Sequence, residues 1–153
     1  MAAGCIRPAG EKDAERLAAI SAQDRDCWSA DDFLQTMRQE VACVLVFEEE
    51  RAPDGSGILG FAAVYYDEDG SELVQIAVDQ TRRREHIAAR MMDAVFLYLR
   101  EKNVPRIMLE VRAGNLPAIG LYKQKGFEKI HVKKDFYRRP QEDALVMLRE
   151  LQN

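Results

Sequence analysis

Three side chains able to move protons or hold a polar group lie close together in the chain: Glu110, Asn115 and Tyr122. Glu110 stands between Leu109 and Val111 in a short apolar run, so strand alternation puts its carboxylate on the face opposite those two. A carboxylate that lines a cleft can take a proton, whereas one on a solvated sheet edge does no chemistry. Tyr122 carries a hydroxyl that can serve as a general acid if a reacting thiol lies near it, or it is a core tyrosine with its hydroxyl satisfied. A second constellation is Arg82, Arg83 and Arg84, immediately before an apolar-periodic stretch that opens at Ile87. A helix start leaves backbone N–H groups without internal partners and carries a partial positive charge. With guanidinium groups beside it, such a start suits a pyrophosphate. The alternative for the same residues is a solvated basic turn.

These residues need elements to position them. Ile87, Met91, Val95 and Leu99 make one apolar face, so a helix is expected over 87–102. A helix over 116–125 follows Asn115, a good N-cap, with Pro117 in its first turn and Gly126 as its stop. Helical spacing also marks 11–23, and Ser29 before Ala30-Asp31-Asp32 reads as the cap of a helix reaching about Arg38. Strands are expected at 5–8, 41–48, 58–66, 73–78, 107–111, 127–132 and 143–148. Turns fall at 52–57 and 67–70 by composition, and the charged, aromatic stretch 133–142 reads as a linker. The resulting order, β-α-α-β-β-β-α-β-α-β-β, is mixed α/β with an antiparallel first half and a right-handed parallel crossover over 73–111.

The chain has 153 residues, the size of one domain, so 1–153 is expected to fold as a single unit. The net charge of −4 argues against a general nucleic-acid binder. Cys5, Cys27 and Cys43 are widely spaced and odd in number, as for reduced thiols. No apolar run approaches membrane-spanning length and the first ten residues lack a signal-peptide core, so a cytoplasmic protein without a membrane partner is expected.

Several segments together resemble the GNAT superfamily of acetyltransferases, and within it the RimI-like N-terminal acetyltransferases. Leu109-Glu110-Val111-Arg112-Ala113-Gly114-Asn115-Leu116-Pro117-Ala118-Ile119 is similar to that group's LEVRxxNxxAI segment. Leu121-Tyr122-Lys123-Gln124-Lys125-Gly126-Phe127 is similar to its LYxxxGF segment. Weaker matches are Ile76-Ala77-Val78-Asp79, Cys27-Trp28-Ser29 with Phe33, Lys133-Lys134-Asp135-Phe136-Tyr137 and Asp143-Ala144-Leu145-Val146-Met147. In the register of the family's Q/R-x-x-G-x-G/A phosphate loop the chain reads Arg83-Arg84-Glu85-His86-Ile87-Ala88. His86 replaces a glycine there, and Asp79-Gln80 lacks the family's usual proline.

The resemblance implies a GNAT fold, a mixed central sheet flanked by helices, with acetyl-CoA as cosubstrate and no metal. It implies that Ile76, Ala77 and Val78 pair with the pantetheine amides and that Arg83, Arg84, Glu85, His86, Ile87, Ala88 and Ala89 hold the pyrophosphate. Asn115 and Ala118 then lie along the cofactor, Glu110 is the general base and Tyr122 the general acid that also faces the cofactor. Trp28 and Tyr137 fall in the segments expected to wall the acceptor cleft, with Arg138 and Arg139 beside them. The implied reaction is direct attack of a neutral amine on the thioester. Freeing the amine of its proton at pH 7 costs about 1.4 kcal/mol for an α-amine and about 4.6 kcal/mol for lysine, which favours a protein or peptide N-terminus. The typical acceptor of the RimI-like group is the N-terminal alanine of a small-subunit ribosomal protein. A small-molecule amine, with an acidic pocket favouring a polyamine, and a catalytically silent acetyl-CoA-binding module are the alternatives. A monomer or weak dimer is expected.

Overall fold

The computed structural model describes residues 2–50 and 57–151. Its elements run β1 (Gly4–Pro8), α1 (Ala14–Ser21), α2 (Ala30–Met37), β2 (Ala42–Glu49), β3 (Ile58–Tyr66), β4 (Ser71–Val78), α3 (Ile87–Glu101), β5 (Arg106–Arg112), α4 (Leu116–Gln124), β6 (Glu128–Arg138) and β7 (Gln141–Glu150). This is the order expected from the sequence. The turn expected at 52–57 lies, apart from Gly57, outside the described residues. The strands form one seven-stranded mixed sheet, β1-β2-β3-β4-β5-β7-β6, in which only β4 and β5 run parallel.

Each face of the sheet carries its own apolar cluster. Leu73, Ile107, Leu109 and Val111 turn toward α3 and α4, where Met91, Val95, Leu99, Ile119 and Phe127 meet them. Val44, Val46, Ile58 and Phe61 turn the other way, against Leu17, Ile20 and Phe33 of α1 and α2. Alternation explains the assignment, since successive strand side chains take opposite faces. The caps read from sequence are present: Ser29 Oγ accepts from Asp32 N–H at 3.1 Å, and Asn115 Oδ1 from Ala118 N–H at 3.3 Å. Gly126 takes φ 91°, a left-handed conformation that glycine adopts without strain, and so ends α4.

Two expectations are corrected. The helix expected over 11–23 begins as a short 3-10 turn, Glu11–Asp13, and is α-helical only over Ala14–Ser21. Asp13 is buried there, accepting from Gly10 N–H at 2.7 Å and from Arg7 at 2.9 Å. The stretch 133–142, expected as a linker, belongs mostly to the hairpin of β6 and β7. Its alternation is hidden by a bulge: Lys133 pairs with Ala144 and Tyr137 with Glu142, so three residues of β6 stand opposite Asp143 alone. Asp135 takes φ 51° within it, and its N–H donates to Asp143 Oδ1 at 2.9 Å.

The parallel pair decides where a site can form. β4 and β5 are in register only from Ser71–Ile107 to Leu73–Leu109. Beyond that, β4 stays with β3 as far as Val78 and β5 stays with β7 as far as Arg112, so the two strands part like a fork. The parting coincides with an irregularity in β4. Ala63 pairs with Gln75 and Val64 with Leu73, which leaves Val74 as an extra residue. Gln75 is then held from the α1 side, accepting from Ser21 Oγ at 2.9 Å and donating to Asp26 O at 2.7 Å.

The far end of β4 is fixed by Asp79. Its carboxylate accepts from Thr81 N–H at 3.0 Å, Thr81 Oγ1 at 2.9 Å and Arg16 at 2.8 Å. The Thr81 N–H, followed by Arg16, holds the Asp79 carboxyl down at about 2. A depressed folded-state pKa gives stability that is present above the ordinary carboxylate range and is lost as pH falls through the folded value. Asp79→Asn should therefore lower unfolding free energy by about 2 kcal/mol at pH 7, with the difference shrinking between about pH 4 and pH 2 in urea titrations.

Candidate active site

The fork opens into a cleft of about 680 Å³. Its floor is the parting strands, with Leu73, Gln75 and Ile76 on one side and Glu110 and Arg112 on the other. One wall is the α1–α2 connection with Asp26 and Trp28, and the opposite wall is the β6–β7 hairpin with Tyr137 and Glu142. Asn115 and Tyr122, at the start and middle of α4, also line it. The structure therefore gathers Glu110, Asn115, Tyr122, Trp28, Tyr137, Ile76 and Ala77 around one space. Arg138 and Arg139, expected beside Tyr137, are not among its lining residues.

Glu110 alternates with Leu109 and Val111 as expected, its side chain partly open where theirs are buried. Its carboxylate is not alone: Lys133 Nζ donates to Oε1 at 2.8 Å. The β6 bulge offers a physical account, because it resets the phase of the strand after Lys133 and lets Tyr137 return to the cleft. A second carboxylate was not singled out in the sequence. Glu72 pairs in register with Met108, two residues before Glu110 on β5, so Glu72 and Glu110 share one face of the sheet. Partial burial, followed by the negative charge of Glu110, raises the Glu72 pKa, with Lys133 opposing. Glu72 remains solvent-exposed, so this is a bias on its proton affinity and not a buried neutral acid. The sequence signal for it was weak: a glutamate at a strand start, beside a turn rich in acidic residues.

Tyr122 is buried and belongs to the α3-side cluster, with its ring edge-on to Phe127 at 5.7 Å. Its hydroxyl has no hydrogen-bond partner among the described residues. Burial, with the electrostatic influence of the neighbouring Tyr137 and Asp24 adding to it, pushes its pKa up to about 12. It is thus a proton donor throughout the neutral range.

Arg112 ties the two walls together. It forms a bidentate pair with Asp26 at 2.9 Å and 2.9 Å, and it donates to Pro140 O at 3.2 Å and Glu142 at 3.4 Å. Its guanidinium lies 4.1 Å from the centre of the Tyr137 ring. Glu142 also accepts from Gly114 N–H at 2.5 Å, and a Cβ at Gly114 would stand 2.6 Å from that carboxylate oxygen. A side chain at 114 would push that carboxylate aside and loosen its bond to the 114 N–H. Trp28 is set by its own N–H, which donates to Ser21 Oγ at 2.8 Å, and by edge-on packing against Phe33 at 5.2 Å.

The cofactor loop differs from a simple basic patch. Arg82 is engaged with Glu85 at 2.7 Å and Glu49 at 2.9 Å. Arg83 donates to Val78 O at 3.3 Å and approaches Asp24 at 3.5 Å. Arg84 is exposed and unpaired among the described residues. His86 caps α3 through its backbone alone, with φ 59° and ψ 23°, and Arg84 also has positive φ, at 73°. This left-handed backbone is what a glycine would supply without strain, so the chain keeps the loop's path with a side chain in place of the glycine. A helix start with free N–H groups, the exposed Arg84 and a strand edge opened by the fork fits a pyrophosphate joined to an amide-bearing arm. No group of three or more His, Cys, Asp or Glu able to hold a metal occurs among the described residues.

A sheet split at one parallel pair, with a helix N-terminus beyond the split and a carboxylate and a tyrosine hydroxyl beside its vertex, is the architecture of an acyltransferase that uses coenzyme A. The sequence profile of the acetyltransferase (GNAT) family matches residues 12–127, and the chain belongs to that family of acetyl-CoA-dependent N-acetyltransferases. A Bacillus subtilis strain 168 protein, provisionally named a ribosomal protein bS18-alanine N-acetyltransferase, is 30% identical over 121 residues, 78% of this chain and 77% of its own. An N-alpha-acetyltransferase of Saccharolobus solfataricus is 40% identical over 80 residues, which span 52% of this chain and only 47% of that protein. Among solved structures, Ard1 from Thermoplasma volcanium superposes with a TM-score of 0.88 at 26% identity, covering 99% of both chains. The ribosomal-protein-S18-alanine N-acetyltransferase from Escherichia coli gives the same TM-score of 0.88 at 23% identity over 99% of this chain and 96% of that one, a likeness of fold. No described helix is long and apolar enough to cross a membrane.

His86→Gly should leave acetyl-CoA affinity unchanged or tighter by calorimetric titration, because the loop backbone already follows a glycine path. A loss of about tenfold or more would instead make the imidazole a ligand.

Proposed function

We propose that this enzyme acetylates the α-amine of a polypeptide N-terminus in the cytoplasm, and that a small-subunit ribosomal protein beginning with alanine is its physiological acceptor. The observation that carries the reading is the pair of carboxylates, Glu72 and Glu110, set on one sheet face at the vertex of an open cleft. The names of the B. subtilis and S. solfataricus relatives point the same way. A carboxylate pair suits the modest task of deprotonating an α-amine, and it is poorly matched to the larger cost for lysine.

Acetyl-CoA, when bound, supplies the thioester carbonyl that the amine attacks. The protein's part is to hold and deprotonate the amine and to protonate the leaving sulfur. The ammonium of the acceptor is drawn to Glu72 and Glu110, and the pair takes its proton, with Glu72 made the more receptive by partial burial and by its charged neighbour. Lys133, bonded to Glu110, limits the repulsion between the two carboxylates. Tyr122 stays protonated and donates its hydroxyl proton to the sulfur as the thioester bond breaks. Asn115 is occupied in capping α4, so it holds the helix that carries Tyr122 while its face lines the cleft.

One observation favours a second reading. The cleft is lined by Asp24, Asp26, Glu72, Glu110 and Glu142 against Arg25 and Arg112, which also suits a small polyamine. A thiol-release assay with an alanine-start peptide, an internal-lysine peptide with blocked terminus, and spermidine separates the two. Turnover of the alanine-start peptide at least about tenfold faster in kcat/KM is expected. Preference for spermidine would transfer the proposal to small amines, and acetyl-CoA binding without thiol release from any acceptor would leave a silent binding module.

The carboxylates separate by pH profile. Activity requires the base ionised, so it falls as pH drops through the acid limb, and a raised Glu72 puts that limb above the ordinary carboxylate range. Glu110→Gln removes a charge that raises Glu72, so the limb should move to lower pH while kcat/KM falls about 10- to 100-fold. Glu72→Gln should lower kcat/KM by a similar factor. An unchanged profile in either variant would remove that residue from the base.

A further inference from the structure

A groove of about 470 Å³ continues from the cleft along the same sheet and shares Glu72 with it. Glu72 pairs with Met108 and Met108 with Leu148, so these three residues form a row across β4, β5 and β7. Glu110 is the next residue on that face of β5, roughly 7 Å further along. The face is the one toward α2, because Tyr65, which also lines the groove, donates its hydroxyl to Thr36 of α2 at 3.1 Å. Helices α1 and α2 pack on β2, β3 and β4, which leaves this part of β5 and β7 uncovered. Met108 is 37% exposed and Val41, at the groove's edge, 49% exposed. The rim is acidic, with Asp67, Asp69 and Glu72. The cation among its described lining residues, Arg106, is engaged with Glu150 at 3.3 Å and Asp69 O at 2.6 Å.

We infer that this groove is a second acceptor subsite, which takes the stretch of the acceptor polypeptide downstream of its acetylated terminus, a stretch of mixed apolar and basic character. The inference rests on the N-terminal amine reading above. Continuity through Glu72 supplies the direction: a chain whose α-amine sits at the Glu72–Glu110 pair and runs down β5 reaches Met108 within about two to three extended residues. The apolar floor of Met108 and Leu148 takes side chains of one parity, and the carboxylate rim takes lysine or arginine of the other. Engagement there holds the acceptor, so it acts on KM and leaves the chemical step alone.

The test is steady-state kinetics with two C-terminally amidated, alanine-start peptides: a dipeptide, and an eight-residue peptide with leucine and lysine alternating from its third residue. Wild type should show a KM about five- to tenfold lower for the longer peptide at similar kcat. Met108→Gln, which adds polarity without a charge beside Glu72, should erase that difference while leaving kcat and KM for the short peptide within about twofold, and Met108→Leu should preserve it. Equal KM values for the two peptides in wild type, or an equal rise for both in Met108→Gln, would overturn the subsite while leaving the N-terminal amine reading intact. Turnover of neither peptide would remove that reading and the subsite with it.

Discussion

The site depends on one interruption in the sheet. β4 and β5 are hydrogen-bonding neighbours over only a few residues, and then each keeps its other partner and they separate. A sheet resists such a split, because each strand gives up a row of backbone bonds that water or a ligand must replace. The extra residue at Val74 turns the strand away, Gln75 is anchored by Ser21 and Asp26, and Asp79 is anchored by Arg16 and Thr81. All these tethers come from α1, from the α1–α2 connection or from the turn after β4. The same connection forms one wall of the cleft. Opening the sheet and shaping the acceptor side are therefore one structural event.

Charge is distributed to match. Around the cleft, Arg112 answers Asp26 and Glu142, and Lys133 answers Glu110. Glu72 has no cation of its own within bonding distance among the described residues, and it stands closest in kind to what an incoming ammonium needs. On the cofactor side the balance reverses. Arg82 is neutralised by Glu49 and Glu85, but Arg84 remains free beside the start of α3. An anion is thus favoured at one mouth of the fork and a cation at the other, the complementary signs that the proposed reaction of acetyl-CoA with an ammonium-bearing acceptor needs.

Much of this was legible in the sequence, and the exceptions share a cause. Order and type of elements followed from local pattern: the apolar face of Ile87 to Leu99, the caps at Ser29 and Asn115, the stop at Gly126. Glu110 was singled out by strand alternation and by segment resemblance, and Tyr122 by its place on the helix after Asn115 and by the resemblance; both line the cleft. Glu72, Glu142 and Asp26 were not singled out, and Lys133 only within the segment that carries Tyr137. Glu72, Lys133 and Glu142 owe their places to register between strands distant in sequence or to a bulge that breaks alternation, and Asp26 meets the cleft through its pair with Arg112; none of this is written in a local window. The stretch 133–142 was misread for the same reason: its polar face looks like a loop until Lys133 meets Glu110 and Tyr137 meets Arg112.

The cofactor loop shows how a motif departure can be local. A glycine in the third-from-last place of the loop does two separable things: it permits a left-handed backbone, and it leaves room for the ligand's oxygens. His86 satisfies the first requirement at a strain of roughly 1 to 2 kcal/mol, since its backbone is left-handed all the same. That strain is balanced by the helix that follows, whose buried Ile87, Met91 and Met92 fix the position of the first turn. The second requirement concerns only where the imidazole points, and His86 is exposed. The missing proline is likewise replaced by a different device, the Asp79 cap on the turn. What the loop must conserve is a backbone path, and here side-chain bonds and helix packing impose the path that glycine and proline impose elsewhere.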